Sequence, residues 1–211
     1  MRVKAAVLLI SLMSSVSVSA GQFVIGGNIG VATGGENAAS LNDQLEANGF
    51  TAEASTTGDI RTGWQTYIAY QHEMKWGIQL AYVDLGEATV RFDGIEVPID
   101  ELLDGIGDNH PRSAQGVKLS ATYHYDLNKK LQLQGRLGGF DWDTEYTFDG
   151  VNVDGDPVSR KIKQEGTNVS VGAGLVHTLT NYLSAHLDWD YYSIDEEAVN
   201  MFTLGISYRF Y

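Results

Sequence analysis

Apolar and polar residues alternate along eight separate segments of this chain, and this alternation is its strongest structural signal. In the last segment Phe202, Leu204, Ile206, Tyr208 and Phe210 are apolar, and the residues between them are small or polar. Side chains of a β-strand point alternately to its two faces, so a period of two predicts a strand with one apolar face. The predicted strands are residues 23–31, 64–71, 76–85, 115–125, 131–140, 168–178, 183–192 and 202–211.

The lengths of the segments and of their connections predict how the strands are arranged. Each segment has roughly 8 to 11 residues, the length that a tilted strand needs to cross a bilayer. Short turns are found at 72–75, 126–130 and 179–182, and long loops at 32–63, 86–114 and 141–167. Because short and long connections alternate, we predict an all-β fold, a transmembrane eight-stranded antiparallel up-and-down β-barrel.

Soluble sandwiches and lipocalin-like barrels also contain strands of period two, but their apolar faces point inward. In this chain the polar faces are rich in Gly, Ser and Ala, which suit a narrow lumen, and the apolar faces carry bulky aliphatic residues. Aromatic residues collect at the ends of the apolar faces, as they do at membrane interfaces. They are Trp64, Tyr70, Tyr82, Tyr123, Tyr125, Trp189, Tyr208 and Phe210. The pattern therefore favours a barrel whose apolar face contacts lipid.

The beginning of the chain has the layout of a secretory signal peptide. Arg2 and Lys4 precede a short apolar run, and small residues follow up to Ala20, after which we expect cleavage. The apolar run is too short to span a membrane, and no later segment offers the roughly 18 apolar residues of a spanning helix. We expect a signal peptide over residues 1–20, one barrel domain over residues 21–211, and a location in the outer membrane of a Gram-negative bacterium.

The composition argues against several classes of function. The formal net charge is −13, and nucleic acid is an unsuitable partner for such an acidic chain. The absence of Cys excludes disulfides and Cys-based zinc sites. His72, His124 and His177 lie near three different turns, and no nucleophile stands beside a base and an orienting group. We therefore expect no catalytic residue, no cofactor and no metal site.

Several segments resemble the transmembrane barrel of the OmpA-like family. "AQGVKLSATYHYDLNKKLQLQGRLGGFDW" (114–142) is similar to its fourth and fifth strands, and "YQHEMKWGIQLAYVDLG" (70–86) to its second hairpin. "GAGLVHTLTNYLSAHLDWDY" (172–191) and "LGISYRF" (204–210) extend the resemblance to the end of the chain. The resemblance implies a C-terminal signal for the barrel-insertion machinery, formed here by Leu204, Ile206, Tyr208, Phe210 and Tyr211. Because nothing follows these residues, we expect the family's periplasmic domain to be absent.

The alternation also assigns polar side chains to the barrel interior, where buried charges need partners. The predicted network consists of Asn28, Gln79, Lys118, Thr122, Gln134, Arg136, His186, Asp188 and Arg209. The resemblance implies an acid–base gate in the barrel interior. At the positions that match this gate, Gln79 replaces an acid and Thr122 replaces a base, and only Asp188 is retained as an acid. We therefore expect Arg136 and Asp188 to join a network that holds the barrel shut.

The long loops are expected to carry the specific function, because binding residues concentrate on loops held by a rigid scaffold. Residues 37–50 are spaced like a short amphipathic helix, and residues 98–107 read as a helical turn. Asp-Gly dipeptides in 91–97 and 147–153 predict hairpin turns, with strands continuing beyond the membrane. The Asp-rich run 149–156 is a weak calcium candidate, since it lacks the EF-hand spacing.

These features predict a non-enzymatic, monomeric outer-membrane barrel with a structural or surface-interaction role. Its acidic loops would bind a host or other surface ligand, and divalent cations would bridge them to anionic lipopolysaccharide. A narrow channel for small solutes or ions is the second interpretation, and a barrel enzyme that modifies lipid A is the third.

Overall fold

The structure is a computed structural model that describes residues 21–34, 38–49, 53–57, 60–72, 75–87, 89–93, 114–151, 157–194 and 197–210. These residues form ten strands and one helix. In chain order they are β1 (Gly21–Gly34), α1 (Ala38–Ala47), β2 (Glu53–Thr57), β3 (Ile60–His72), β4 (Trp76–Asp84), β5 (Thr89–Asp93), β6 (Gln115–Asp126), β7 (Leu131–Val151), β8 (Pro157–Thr178), β9 (Leu183–Ile194) and β10 (Glu197–Phe210).

Eight of the strands close into a barrel. They are hydrogen-bonded in the order β7-β6-β4-β3-β1-β10-β9-β8, and β8 pairs again with β7 to complete the ring. Every pairing around this ring is antiparallel. The predicted eight-stranded up-and-down barrel is therefore confirmed, and each predicted segment corresponds to one barrel strand. Closure leaves these strands without a free edge at membrane depth, as lipid requires.

The apolar faces of the strands point outward. Along β6, Val117 and Leu119 are exposed, whereas Lys118 between them is buried. On other strands Leu137 is 61% exposed and Leu204 is 65% exposed, with no part of the barrel covering them. An apolar surface of this kind is stable in contact with acyl chains and not with water. The predicted orientation, with apolar side chains toward lipid, is confirmed.

Aromatic side chains mark both ends of the lipid-facing surface. At the loop end, the Tyr82 hydroxyl donates to Oε1 of Gln115 at 3.1 Å, and Nε1 of Trp189 donates to Oδ1 of Asn200 at 3.0 Å. At the turn end, exposed rings include Tyr123, Tyr125, Tyr182, Tyr208 and Phe210. Tyr and Trp favour this depth because the ring contacts lipid while its polar group meets the interface.

The hairpin formed by β7 and β8 extends far beyond the membrane. β7 and β8 remain paired as far as Val151 and Pro157. Asp149 and Gly150 lie inside β7, opposite Ser159 and Val158, so the hairpin turn predicted at this Asp-Gly is wrong. The ladder continues because further strand-forming residues follow, and the connection falls at 152–156, outside the described residues.

The other two long loops add strands to this extension. β5, from the second loop, pairs antiparallel with β2, from the first loop, and meets β7 in a parallel bridge between Arg91 and Asp149. β5 ends at Asp93, so it is the strand that precedes the other Asp-Gly, and it pairs with a strand from another loop. The residues that follow this Asp-Gly lie outside the described residues. α1 confirms the helix predicted in the first loop. Residues 98–107, predicted as a helical turn, lie outside the described residues.

Among the described residues, the helix α1 lacks the length and the apolar character that a membrane-spanning helix needs.

Candidate functional site in the barrel lumen

Polar and charged side chains fill the middle of the barrel because strand alternation turns every second residue inward. Lys118 and Asp190 are each 1% exposed, and Arg136 and Asp188 are also buried. Four ionised groups at this depth are costly unless they pair, since burial removes their hydration. Two of them are cations and two are anions, so the cluster has no formal net charge.

These four residues form one ion-pair cluster. Nη1 of Arg136 lies 2.7 Å from Oδ1 of Asp188, and Nε of Arg136 lies 3.1 Å from Oδ1 of Asp190. Nη2 of Arg136 donates to the second oxygen of Asp190 at 3.2 Å, so that this pair is bidentate. Nζ of Lys118 lies 3.1 Å from the Asp190 carboxylate. Asp190 is therefore the residue that links both cations.

Hydrogen bonds connect the ion-pair cluster to residues on other strands of the barrel wall. Nδ2 of Asn28, on β1, donates to Asp188 at 2.5 Å, and Nε2 of Gln65, on β3, donates to Asp190 at 3.5 Å. Lys118 also donates to the hydroxyl of Tyr192 at 3.1 Å. The connected strands are β1, β3, β6, β7 and β9, which lie on all sides of the ring. The cluster therefore bridges the whole cross-section of the lumen.

Toward the turn end the network continues through amides and imidazoles. Nη1 of Arg136 donates to Oε1 of Gln134 at 2.9 Å. Nε2 of His124 lies 3.1 Å from Nε2 of Gln71 and 3.4 Å from Nε2 of Gln134. Nε2 of His186 lies 2.7 Å from the Ser207 hydroxyl oxygen. Side chains therefore contact each other along the axis as well as across it.

Two glycines of β8 make room for the arginine. A Cβ atom added to Gly174 would overlap Oδ1 of Asp188 and lie 3.2 Å from Nη1 of Arg136. A Cβ added to Gly172 would overlap the Asp190 carboxylate and lie 2.9 Å from Nε of Arg136. The segment 172–174 thus places Arg136 and its carboxylate partners directly against the wall of β8.

An apolar layer covers the loop end of the lumen. Phe140 and Tyr192 pack with ring centroids 5.0 Å apart, and both are fully buried. Other members of this buried cluster are Val83, Leu85, Trp142, Ile194, Val199 and Met201. The prediction that hydrophilic side chains fill the interior therefore holds for the middle and the turn end of the lumen, and it is wrong for the loop end. The loop end is apolar because the strands continue beyond the network and contribute large inward residues there.

The structure brings together six members of the predicted network, which are Asn28, Lys118, Gln134, Arg136, His186 and Asp188. The contact of His186 is the longest, with Nδ1 of His186 4.0 Å from Oδ2 of Asp188. Gln79 and Thr122 are buried in the lumen wall, but Oε1 of Gln79 and Oγ1 of Thr122 have no hydrogen-bond partner among the described residues. Arg209 is half-buried at the turn end, and its Nε also has no such partner.

Asp190 and Tyr192 belong to the network but are missing from the predicted set. Alternation along β9 places both on the same face as Asp188, so the signal was present. Asp190 could have been assigned to the network from its spacing of two residues from Asp188, because the two buried cations Lys118 and Arg136 need two anions.

The three histidines near the turns do not converge in the structure. His124 points into the lumen, His177 is exposed on the outside, and His72 packs on Trp76 with ring centroids 4.8 Å apart. Among the residues that the structure describes, no group of three or more His, Asp or Glu side chains is arranged to hold a metal ion. The side chains of the calcium candidate 149–156 lie outside the described residues.

At the C terminus, Leu204, Ile206, Tyr208 and Phe210 all point outward. The ring of Tyr208 contacts Phe210 edge-on, with centroids 5.0 Å apart, and stacks on Tyr182 with centroids 6.0 Å apart. Tyr211 lies outside the described residues. The last strand thus presents an unbroken apolar stripe that ends in aromatic rings.

The sequence profile of the family described as "outer membrane protein beta-barrel domain" matches residues 3–210. Among curated proteins, none matches the sequence at a significant level.

Three solved structures show the same fold at low sequence identity. The outer membrane protein OprG of Pseudomonas aeruginosa is 14% identical with a TM-score of 0.54, over 91% of this chain and 97% of that one. Neisserial surface protein A is 10% identical with a TM-score of 0.51, over 91% and 100%. The N-terminal β-barrel domain of P. aeruginosa OprF is 16% identical with a TM-score of 0.50, over 90% and 99%.

Proposed function

Because this chain belongs to the outer membrane protein β-barrel domain family and lies in the outer membrane, we propose that it is a non-enzymatic, non-conducting barrel that acts at the cell surface through its loops. The observation that carries this proposal is the filled lumen beneath a joined set of extracellular strands. The barrel would serve as a rigid membrane anchor, and the loops would bind the ligand.

The lumen supports the non-conducting part of the proposal. An eight-stranded barrel encloses an interior that side chains can fill completely. Here Arg136, Asp188, Asp190 and Lys118 bridge the cross-section, and the apolar layer around Phe140 covers the loop end. A permeating ion would have to separate paired charges and then cross this apolar layer, and both steps raise its energy.

The loops support the surface-binding part. β2, β5 and the outer parts of β7 and β8 come from three different loops, yet they form one sheet with the barrel. A joined sheet holds its residues in a defined arrangement, which lowers the entropy lost on binding. The second loop also carries many carboxylates in its sequence, including Asp93, Glu96 and Asp100. A basic or cation-bridged partner, such as lipopolysaccharide with bound divalent ions, would complement this charge.

A loop-trimmed variant tests the proposal. The three long loops would be replaced by short turns after Gly34, Leu85 and Thr144, with the barrel strands kept intact. We expect cells that display the intact protein to adhere to host cells or matrix, and cells that display the trimmed barrel to lose this adhesion. Heat-dependent gel mobility would show that both barrels fold. Equal adhesion by both proteins contradicts the proposal.

The second candidate, a narrow channel, is separated by planar-bilayer recording. We expect no steady conductance from the intact protein, because its lumen is filled along the axis. Reproducible single-channel steps at neutral pH would favour the channel instead. Lipid A mass spectrometry after overexpression separates the enzyme interpretation, for which we expect unchanged lipid A.

A further inference from the structure

Three exposed lysines form a basic rim at the turn end of the barrel. Lys75 lies in the turn between β3 and β4, and Lys129 and Lys130 lie in the turn between β6 and β7. The two turns are neighbours, because β4 pairs with β6 and the backbone N–H of His124 donates to the carbonyl of Lys75 at 2.5 Å. The basic rim therefore spans adjacent strands.

The backbone beneath the basic rim is held in place. Oδ1 of Asn128 accepts hydrogen bonds from the backbone N–H groups of Lys130 at 2.9 Å and Leu131 at 3.0 Å. The carbonyl of Lys130 accepts from the N–H of Thr178 at 2.7 Å, which ties this turn to β8. The lysine side chains thus extend into solvent from a fixed base.

Aromatic rings lie directly below the basic rim on the lipid side. Trp76 and Tyr123 are register partners, and both are exposed, as is Tyr125. Such rings occupy the headgroup boundary. Long lysine side chains that start next to them reach the depth of the lipid phosphates.

The charge of the two barrel ends is opposite in sign. On the outward face of the loop end, Asp84, Asp141, Asp143 and Glu165 follow the aromatic belt. At the turn end, Asp126 is the acid among the described residues of the β6–β7 turn, and it already accepts a hydrogen bond from Gln132 at 2.7 Å. The sequence of the turns contains a second acid, Glu73, which lies outside the described residues. The basic residues at this end are Lys75, Lys129, Lys130 and Arg209.

We propose that the basic rim binds the phosphate groups of anionic phospholipids in the periplasmic leaflet. The family places short turns on the periplasmic side, so the rim faces that leaflet. Charge complementarity and direct continuity with the lipid-contacting surface select a phospholipid as the occupant. Bound headgroups would fix the depth and tilt of the barrel at this end.

Electron paramagnetic resonance with spin-labelled lipids tests the proposal. The full barrel would be reconstituted in phosphatidylcholine bilayers containing trace spin-labelled phosphatidylglycerol or phosphatidylcholine, and the motionally restricted fraction of each label would be measured. We expect the wild type to favour phosphatidylglycerol by about two- to fivefold at low ionic strength. High salt should remove most of this preference, because it screens exposed charges.

Two double variants of equal charge separate the rim from net charge. K129Q/K130Q should reduce the preference nearly to one, whereas K161Q/K163Q, on the loop-end part of β8, should keep it. Heat-dependent gel mobility would show that both variants fold. The proposal is overturned if the wild type shows no preference, if K129Q/K130Q keeps it, or if both doubles lose it equally.

Discussion

Arg136 on β7 and Asp190 on β9 lie in one row of paired residues, with Gly172 of β8 between them. Their side chains meet over this glycine, with Nε of Arg136 3.1 Å from Oδ1 and Nη2 3.2 Å from Oδ2 of the carboxylate. A bidentate ion pair thus connects two strands that are not neighbours. It braces the wall of the barrel across β8, where the sheet curves around the lumen.

Replacing Arg136 by Leu should strongly destabilise the barrel. Asp188 and Asp190 would lose the guanidinium and remain buried, and breaking a buried ion pair in this way costs about 3–5 kcal/mol. Denaturant unfolding of the refolded protein in lipid vesicles, followed by tryptophan fluorescence, measures the change. Arg136→Lys keeps the charge but loses the bidentate geometry, so we expect a smaller loss. An unchanged unfolding midpoint in the leucine variant would show that the network adds nothing to stability.

Gly174→Ala should also destabilise the protein, because the added methyl group would overlap Asp188. Overpacking a closed interior costs about 1–3 kcal/mol, and here it would also displace a charged partner of Arg136. Gly135→Ala is the matched control on the outward face of β7, where an added Cβ meets nothing within 4 Å. We expect the control to unfold like the wild type in the same denaturant titration. Equal behaviour of both variants would argue against close packing over β8.

Leu137→Arg tests the orientation of the apolar face. Leu137 lies outward between Ala121 and Val171, in the middle of the predicted lipid contact. A lipid-facing arginine near the midplane of a membrane barrel costs about 2–4 kcal/mol. Ile60→Arg is the control, because Ile60 is exposed four residues beyond Trp64, on the loop side of the aromatic belt. We expect it to cost at most about 1 kcal/mol. Comparable losses at both positions in vesicle refolding would contradict this membrane boundary.

Phe210→Ala tests the proposed assembly signal. In purified protein the substitution removes an exposed ring and its contact with Tyr208, which is worth about 0.5–1.5 kcal/mol. If the insertion machinery recognises the ring, the amount of folded barrel in the outer-membrane fraction of cells should fall more than this stability loss explains. Phe23→Ala removes another ring from the same end, which contacts Tyr70, and serves as the control. Equal assembly of both variants in cells would argue against recognition of Phe210.

Strand alternation in the sequence was sufficient to assign the lipid-facing side of each strand, because the two faces of a strand differ in every second residue. Leu204 and Leu137 could be placed outside, and Lys118 and Arg136 inside, without knowledge of which strands pair. The same alternation, with short turns at one end, was enough to predict the closed ring. In the loops this local signal was weaker, since Asp149 and Gly150 continue a ladder that their dipeptide predicts should end.

Which inward residues contact each other depends on the tertiary structure. The contact of Arg136 with both Asp188 and Asp190 depends on the register of three strands and on the absence of a side chain at Gly172 and Gly174. The apolar layer around Phe140, and the pairing of β5 with β2, likewise depend on how far each strand extends past the membrane. Local patterns report the direction of a side chain from its strand, but distances across a lumen arise when the ring closes, because closure sets the tilt and stagger of all eight strands together.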